Sequence, residues 1–339
     1  IKDLFDNNAL EFAEDKIYEK NFNDTIRIKS QLINREYDAI VKGKKQKYSM
    51  ELTTTGAGTY IKNLFNVFEQ PFSAPKNVGY LKLLISLFER EPFIVLDFFS
   101  GSSTTADAVI QLNAEDAGNR KFIMVQFPEN LDENLIKASS EAEKKTIQSA
   151  ISICDELNKP HLLTIIGKQR IRLAGKKIKD ETLDRYKKEL TQIERELEQQ
   201  TLGGSEELKR KMVELEAKIE HIKNLDIGFR VYRTDSSNMK DIFYHPTQLT
   251  QQQLSAFESN IKEDRTPEDL LTQVILDLGL ELSLPIEKKE ILGNNIFIVQ
   301  ENALVACFDD SIDFGIVDKI ADLKPLKVVF KDASFKDDK

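Results

Sequence analysis

The stretch from residue 93 to 127 constrains the fold most. Residues 93–98 (FIVLDF) are a short apolar run rich in strand formers. Ser100, Gly101, Ser102, Ser103, Thr104 and Thr105 follow as an unbroken run of small residues, and then ADAVIQL, which has helical character. Residues 122–127 (FIMVQF) are a second candidate for a buried strand. Strand, small-residue turn, helix and strand make a βαβ unit, so this part of the chain is expected to be α/β with parallel pairing.

Other segments group around that unit. Residues 78–90 read as an amphipathic helix with Leu81, Leu83, Leu84, Leu87 and Phe88 on its apolar face, and residues 133–175 read as mainly helical with a break near Pro160. In 180–224, Leu183, Tyr186, Leu190, Ile193 and Leu197 recur at spacings of three and four, as do Leu208, Met212, Leu215, Ile219 and Ile222. Gly203, Gly204 and Ser205 lie between the two sets, so the pattern predicts an antiparallel coiled-coil hairpin. Residues 228–234 (GFRVYRT) read as a strand and the Gln-rich 241–260 as loop and short helix. From about 264 the sequence predicts a small α/β region. It opens with a helix capped by Thr266, with Pro267 at its first position, Asp269 three residues after the cap, and Leu270, Leu271, Val274, Ile275 and Leu278 on its apolar face. Strands at 296–299 and 304–308, a helix at 312–323 and a strand at 326–330 complete it.

The chain has 339 residues, enough for two or three domains, and 40% hydrophobic residues, enough for a sizeable core. Cys154 and Cys307, and His161, His221 and His245, are too scattered for a disulfide framework or a metal-ligand spacing. No apolar run approaches the ~20 residues of a membrane span and no secretory signal is present, so a cytoplasmic protein without a membrane partner is expected. A net charge of −9 argues against a chain-wide DNA-binding surface. The basic cluster Lys42, Lys44, Lys45 and Lys47 reads first as a solvated loop, with phosphate contact as the sharper alternative. Residues 1–50 are polar and are expected to hold helical stretches at best; a start at Ile1 rather than Met suggests an excised or processed product.

The run Asp97-Phe98-Phe99-Ser100-Gly101-Ser102-Ser103-Thr104-Thr105 lacks the glycines of a dinucleotide fingerprint and the Gly-Lys-Ser/Thr of a P-loop. It resembles the S-adenosylmethionine (SAM) binding motif of amino-DNA methyltransferases, Asp-Phe-Phe-Ala-Gly-Ser-Gly-Thr-Thr, with Ser103 where glycine is usual. About twenty residues upstream, Phe72-Ser73-Ala74-Pro75-Lys76-Asn77 resembles the companion motif Phe-x-x-Pro-Lys-Pro, with Asn77 in place of the last proline. Further stretches resemble the modification subunits of type III restriction-modification systems: Gly58-Thr59, Arg120 to Gln126, Gly167 to Gly175, Gly228 to Val231 with Asp235 to Asn238, and Val328 to Asp332. The resemblance spans roughly residue 50 to the end and leaves residues 1–45 unplaced.

The resemblance implies a partial Rossmann-like SAM-dependent methyltransferase core, followed by the coiled-coil hairpin and a small C-terminal α/β domain. The implied boundaries are 1–55 (polar, the end of a target-recognition region), 56–178 (SAM-binding), 179–226 (hairpin) and 227–339 (interaction domain). The implied cofactor contacts are Phe72, Ser73, Pro75, Lys76, Asp97, Phe98, Phe99, Ser100, Gly101, Ser102, Thr104, Thr105 and Gln126, the last at the position where SAM folds often carry a carboxylate for the ribose. The implied activity is transfer of a methyl group to adenine N6 in DNA, by a homodimer that works with a helicase-nuclease restriction subunit. Such enzymes orient the adenine with Asp/Asn-Pro-Pro-Tyr. None of the nine prolines here adjoins another, so that loop is absent from the sequence and is expected before residue 1, leaving the chain by itself inactive. Two alternatives stay open: a non-catalytic assembly module that keeps a relic turn, and an unrelated Rossmann-like enzyme for another nucleotide.

Overall fold

The computed structural model describes residues 54–88, 92–199, 205–240 and 260–335, together with four N-terminal strands. The chain divides into two compact units, Ile1–Gly228 and Phe229–Lys339.

The first unit begins with two antiparallel ladders. β1 (Leu10–Ala13) pairs with β2 (Lys16–Glu19), and β3 (Glu36–Val41) pairs with β4 (Lys44–Ser49) in a register that sets Tyr37 opposite Tyr48. Where residues 1–50 are described, the helical expectation is therefore corrected to strands. Tyr37, Ala39 and Val41 recur at period two, and two strand-length runs two residues apart suit a hairpin. Lys44, Lys45 and Lys47 lie on β4, not in a loop; Lys42 falls outside the described residues.

Next come α1 (Thr54–Phe65), α2 (Val78–Ser86), β5 (Ile94–Asp97), α3 (Thr104–Asp116) and β6 (Lys121–Met124). β5 and β6 are parallel, Leu96 opposite Ile123, so β5–α3–β6 is the expected βαβ unit. Val95 and Phe122 pack under α2 and α3 against Ile85, Ala108, Val109 and Leu112. The other sheet face carries Ile94, Leu96, Ile123 and Val125, each about half exposed. α2 ends at Ser86, sooner than expected, and Leu87 and Phe88 are exposed. Asn77 is its N-cap, accepting from the Tyr80 amide, which gives the departure from proline at this position a local use.

α4 (Leu131–Lys137), α5 (Glu141–Glu156) and α6 (Leu163–Gln199) follow, the Pro160 break falling where expected. Leu131, Ile153, Cys154, Ile165 and Ile166 form their shared core. α6 runs 37 residues, about 55 Å at ~1.5 Å per residue, so the boundary expected at 178/179 cuts through one continuous helix. α7 (Ser205–Lys223) returns along it: Ile227, just past the end of α7, reaches the first part of α6, where a Cβ on Gly175 would come 2.9 Å from it. Leu183, Tyr186, Leu190, Ile193 and Leu197 are half-buried between exposed neighbours; Leu208 and Met212 are half-buried, and Leu215, Ile219 and Ile222 are buried. Glycines 203 and 204 of the intervening turn lie outside the described residues.

In the second unit, residues 228–234 form no strand, which corrects that expectation. Among the described residues the segment has no ladder partner; instead the Arg230 side chain donates to the Leu282 and Leu284 carbonyls, and Tyr232 Oη to Leu282. The Gln-rich segment lies almost wholly outside the described residues. α8 (Pro267–Asp277) starts with a complete capping box between Thr266 and Asp269. β7 (Ile286–Ile291), β8 (Asn294–Val299), β9 (Leu304–Cys307), α9 (Gly315–Asp322) and β10 (Val328–Phe330) make a sheet in the order β10-β9-β8-β7, with β10 parallel to β9 and the rest antiparallel. Leu271 and Ile275 of α8 cover one face and Ile316 and Ile320 of α9 the other, which is why β8 and β9 read as continuous apolar runs. β7 (IEKKEI) went unread because it is an edge strand with its charges in water.

Candidate functional site

The small-residue turn leaves β5 at its carboxyl end and enters α3. Its backbone is folded by its own side chains and by β6. Asp97 accepts from the Phe99 amide through Oδ1 at 3.2 Å and from Thr105 Oγ1 through Oδ2 at 2.6 Å. The Ser100 amide donates to the Val125 carbonyl at 3.1 Å, the Gly101 amide to Gln126 Oε1 at 2.8 Å, and the Ser103 amide to the Ser100 carbonyl at 2.6 Å. Gln126, expected to face a ribose, thus spends one acceptor site on the turn itself, and its Nε2 donates to the Phe127 carbonyl.

Gly101 and Ser103 both adopt left-handed backbone, φ 49° and 59°. For Gly101 that conformation is free of steric cost; for Ser103 it costs of the order of 1–2 kcal/mol, which explains why glycine is the usual residue there. The Ser103 side chain faces Gly167 on α6: a Cβ at Gly167 would come 2.6 Å from Ser103 Oγ and 3.3 Å from the Gly101 carbonyl.

The two resembled motifs meet in space. A Cβ on Gly101 would lie 2.8 Å from Phe72 Cζ, so the Phe72 ring rests directly on the turn. Pro75 is buried, whereas Ser73 and Lys76 are exposed. Phe98 and Phe99 project outward, Phe99 to 91% exposure. Ser102 and Thr104 point the opposite way. Both are buried, 3.3 Å apart at their hydroxyls, and both accept from Arg170 Nη1, at 2.9 and 2.6 Å. The expected contact residues therefore divide. Asp97, Phe98, Phe99, Gly101, Gln126 and Phe72 lie at the strand ends, while Ser102, Thr104 and Thr105 shape the turn from inside. Lys44, Lys45 and Lys47, on β4, belong to a separate ladder.

Sequence reasoning missed the cluster behind the turn. Arg170 Nε and Nη2 donate to Asp107 Oδ2 at 3.2 and 3.1 Å. Tyr60 Oη and Gln111 Nε2 donate to Asp107 Oδ1 at 3.2 and 2.9 Å, and the guanidinium lies over the Tyr60 ring at 5.7 Å. Burial, followed by the charge of Asp107, pushes the Tyr60 phenol well above its ordinary range, so it stays a donor. The sequence held one sign of this: Arg170 occupies the stripe of Ile166 and Ala174, an apolar position at helical spacing.

Among the described residues no group of three or more His, Cys, Asp or Glu could hold a metal ion, and no helix is long and apolar enough to cross a membrane. Cys154 and Cys307 are free and buried, and burial raises both thiols above their usual range. His245 lies outside the described residues.

Residues 7–125 match the DNA methylase family. The match begins well before residue 50, so it takes in the N-terminal ladders that the motif resemblance left out. The chain is similar to modification subunits of type III restriction-modification enzymes. It is 42% identical over 82 residues to the EcoPI subunit of Escherichia phage P1, covering 24% of this chain and 12% of that protein. It is 36% identical over 110 residues to the StyLTI subunit of Salmonella typhimurium (32% and 16%), and 38% identical over 96 residues to the EcoP15I subunit of Escherichia coli (28% and 15%). The matching stretch thus spans less than a fifth of the length of each of these relatives.

Proposed function

We propose that this chain carries the methyl-donor half of a type III modification subunit, a site-specific DNA adenine-N6 methyltransferase that uses SAM. The observation that carries the reading is the seating of Phe72 on Gly101, which joins two motifs twenty-five residues apart into one wall at the carboxyl end of a parallel strand pair. Ligands of open α/β sheets bind at that end. The residues fit the donor: Phe98, Phe99 and Phe72 supply aromatic surface for an adenine ring, and Asp97 and Gln126 supply acceptors for hydroxyl or ammonium groups. Bound SAM supplies a methyl group on a sulfonium. The chain's own part is to hold and orient that donor and to keep the turn from collapsing into its site.

In this reading Asp/Asn-Pro-Pro-Tyr, which orients the adenine amine, is supplied from outside the 339 residues, and the chain alone transfers no methyl group to DNA. The basic residues of β4, with Lys42, contact phosphate at the end of a target-recognition region covering 1–55. Residues 56–178 are the Rossmann-like donor part. α6 beyond 178 and α7 form an antiparallel coiled coil, and residues 227–339 are an interaction domain. The whole protein acts as a cytoplasmic homodimer on DNA with a restriction subunit. Its similarity to the three type III subunits, over at most 110 residues, supports the assignment to a modification subunit.

Donor binding tests the reading. SAM or its demethylated product at millimolar concentration is expected to raise the unfolding temperature by mass action. Asp97→Ala and Phe72→Ala should remove the rise, and Lys47→Ala should leave it in place. A folded chain that gains nothing from either ligand would support the assembly module with a relic turn.

A further inference from the structure

Arg170 carries a guanidinium with no exposure, on a helix stripe otherwise given to Ile166 and Ala174. Replacing a buried ion pair by well-packed apolar residues is often neutral or stabilising, so stability alone is a weak reason for this one. Its hydrogen bonds point to another. One edge of the guanidinium is fixed by Asp107, itself held by Tyr60 and Gln111. Nη1 on the other edge reaches the hydroxyls of Ser102 and Thr104. Those two residues bracket Ser103, whose left-handed backbone gives the turn its shape. One helical turn before Arg170, Gly167 lies against Ser103 and Gly101. Phe72 closes the turn from another direction.

We propose that Arg170 is a positioning residue of the methyl-donor site. It pins Ser102 and Thr104 from behind and thereby fixes the backbone of Ser100 and Gly101 at the strand ends, where the donor binds. The inference rests on the reading of Asp97 to Thr105 as the donor turn. It also makes α6 the backstop of that turn, so the helix that forms the long arm and the donor site share one contact.

The test uses the full 339-residue chain as wild type, Arg170→Lys, Arg170→Met and the double variant Arg170→Met/Asp107→Leu. The double variant removes both charges at similar volume. Urea unfolding, SAM binding by calorimetry and amide hydrogen exchange over residues 100–105 are measured on each. Arg170→Met should lower the unfolding midpoint. The double variant should regain it, yet bind SAM at least tenfold more weakly and exchange its turn amides at least tenfold faster. A double variant with the wild-type midpoint, affinity and exchange rates overturns the proposal. If the double variant does not fold, Arg170→Lys is compared with Ile222→Ala, a core truncation where α7 ends. The proposal requires a tenfold loss of affinity in the lysine variant only, and equal losses overturn it. Should wild type itself bind no SAM, the donor reading falls separately. Turn exchange in the ligand-free proteins then decides alone whether Arg170 positions the backbone.

Discussion

Arg170 and Asp107, 63 residues apart in sequence, meet at 3.1 Å with at most 1% of either side chain exposed. The contact fastens α6 to the helix that follows the turn. Asp107→Asn keeps the shape and deletes the charge, leaving a buried guanidinium without its counter-ion. Breaking a buried pair on one side costs about 3–5 kcal/mol. Urea unfolding should show a loss of that order, and a loss under about 1 kcal/mol would mean that water reaches the cluster.

Ser103 and Gly167 are expected to respond in opposite directions. Ser103→Gly relieves a left-handed serine that makes no capping hydrogen bond, and should stabilise the chain by about 1 kcal/mol. Gly167→Ala places a methyl group 2.6 Å from Ser103 Oγ and should destabilise it by roughly 1–3 kcal/mol. In the Ser103→Gly background the alanine should be better tolerated, because its nearest obstacle is gone. Thermal unfolding of the three variants checks the order.

His161 supplies a pH dependence. Its Nε2 lies 2.8 Å from Asp155 Oδ1 and its Nδ1 2.9 Å from Asp132 Oδ1, and these two hydrogen bonds raise the imidazole above its ordinary value of 6.5. A raised folded value favours the native state fully below the unfolded value, and the benefit is lost as pH rises through the folded value. The unfolding temperatures of wild type and His161→Gln should therefore differ most near pH 6 and converge as pH rises past neutrality. The opposite trend would exclude protonated His161 as the bridge between α4 and α5.

Thr266→Ala opens the capping box of α8. Loss of an N-cap costs typically ~1 kcal/mol. The loss should appear as faster amide exchange in the first turn of α8, with Thr266→Ser close to wild type.

Much of this was legible beforehand because the signals are local. FIVLDF, the small-residue run and FIMVQF sit within one βαβ unit, and Thr266, Pro267 and Asp269 specify a helix start over four residues. Of the heptad positions in 180–224, Leu215, Ile219 and Ile222 are buried and the other seven half-buried. The N-terminal ladders were hidden by charges interleaved with Tyr37, Ala39 and Tyr48, and period two was lost in a polar composition. GFRVYRT erred the other way: strand-forming residues make a strand only where a neighbour completes the ladder. The site was half legible. The motifs named the turn, but nothing local in Asp107 or Arg170 says that the two charges meet, nor that Ser102 and Thr104 serve the interior.

The paired helices α6 and α7 are not uniformly fastened. On α7, Leu215, Ile219 and Ile222 near the base are buried and Leu208 and Met212 farther out are half-buried, whereas the five apolar positions of α6 from Leu183 to Leu197 are half-buried throughout. Opening free energy should therefore fall from base to tip, as in a zipper that parts from its free end. Mechanically this is a tapered spring. A load on the outer turns is expected to open them before it reaches the buried base. Added contacts on the outer turns are expected to raise their opening free energy toward that of the base.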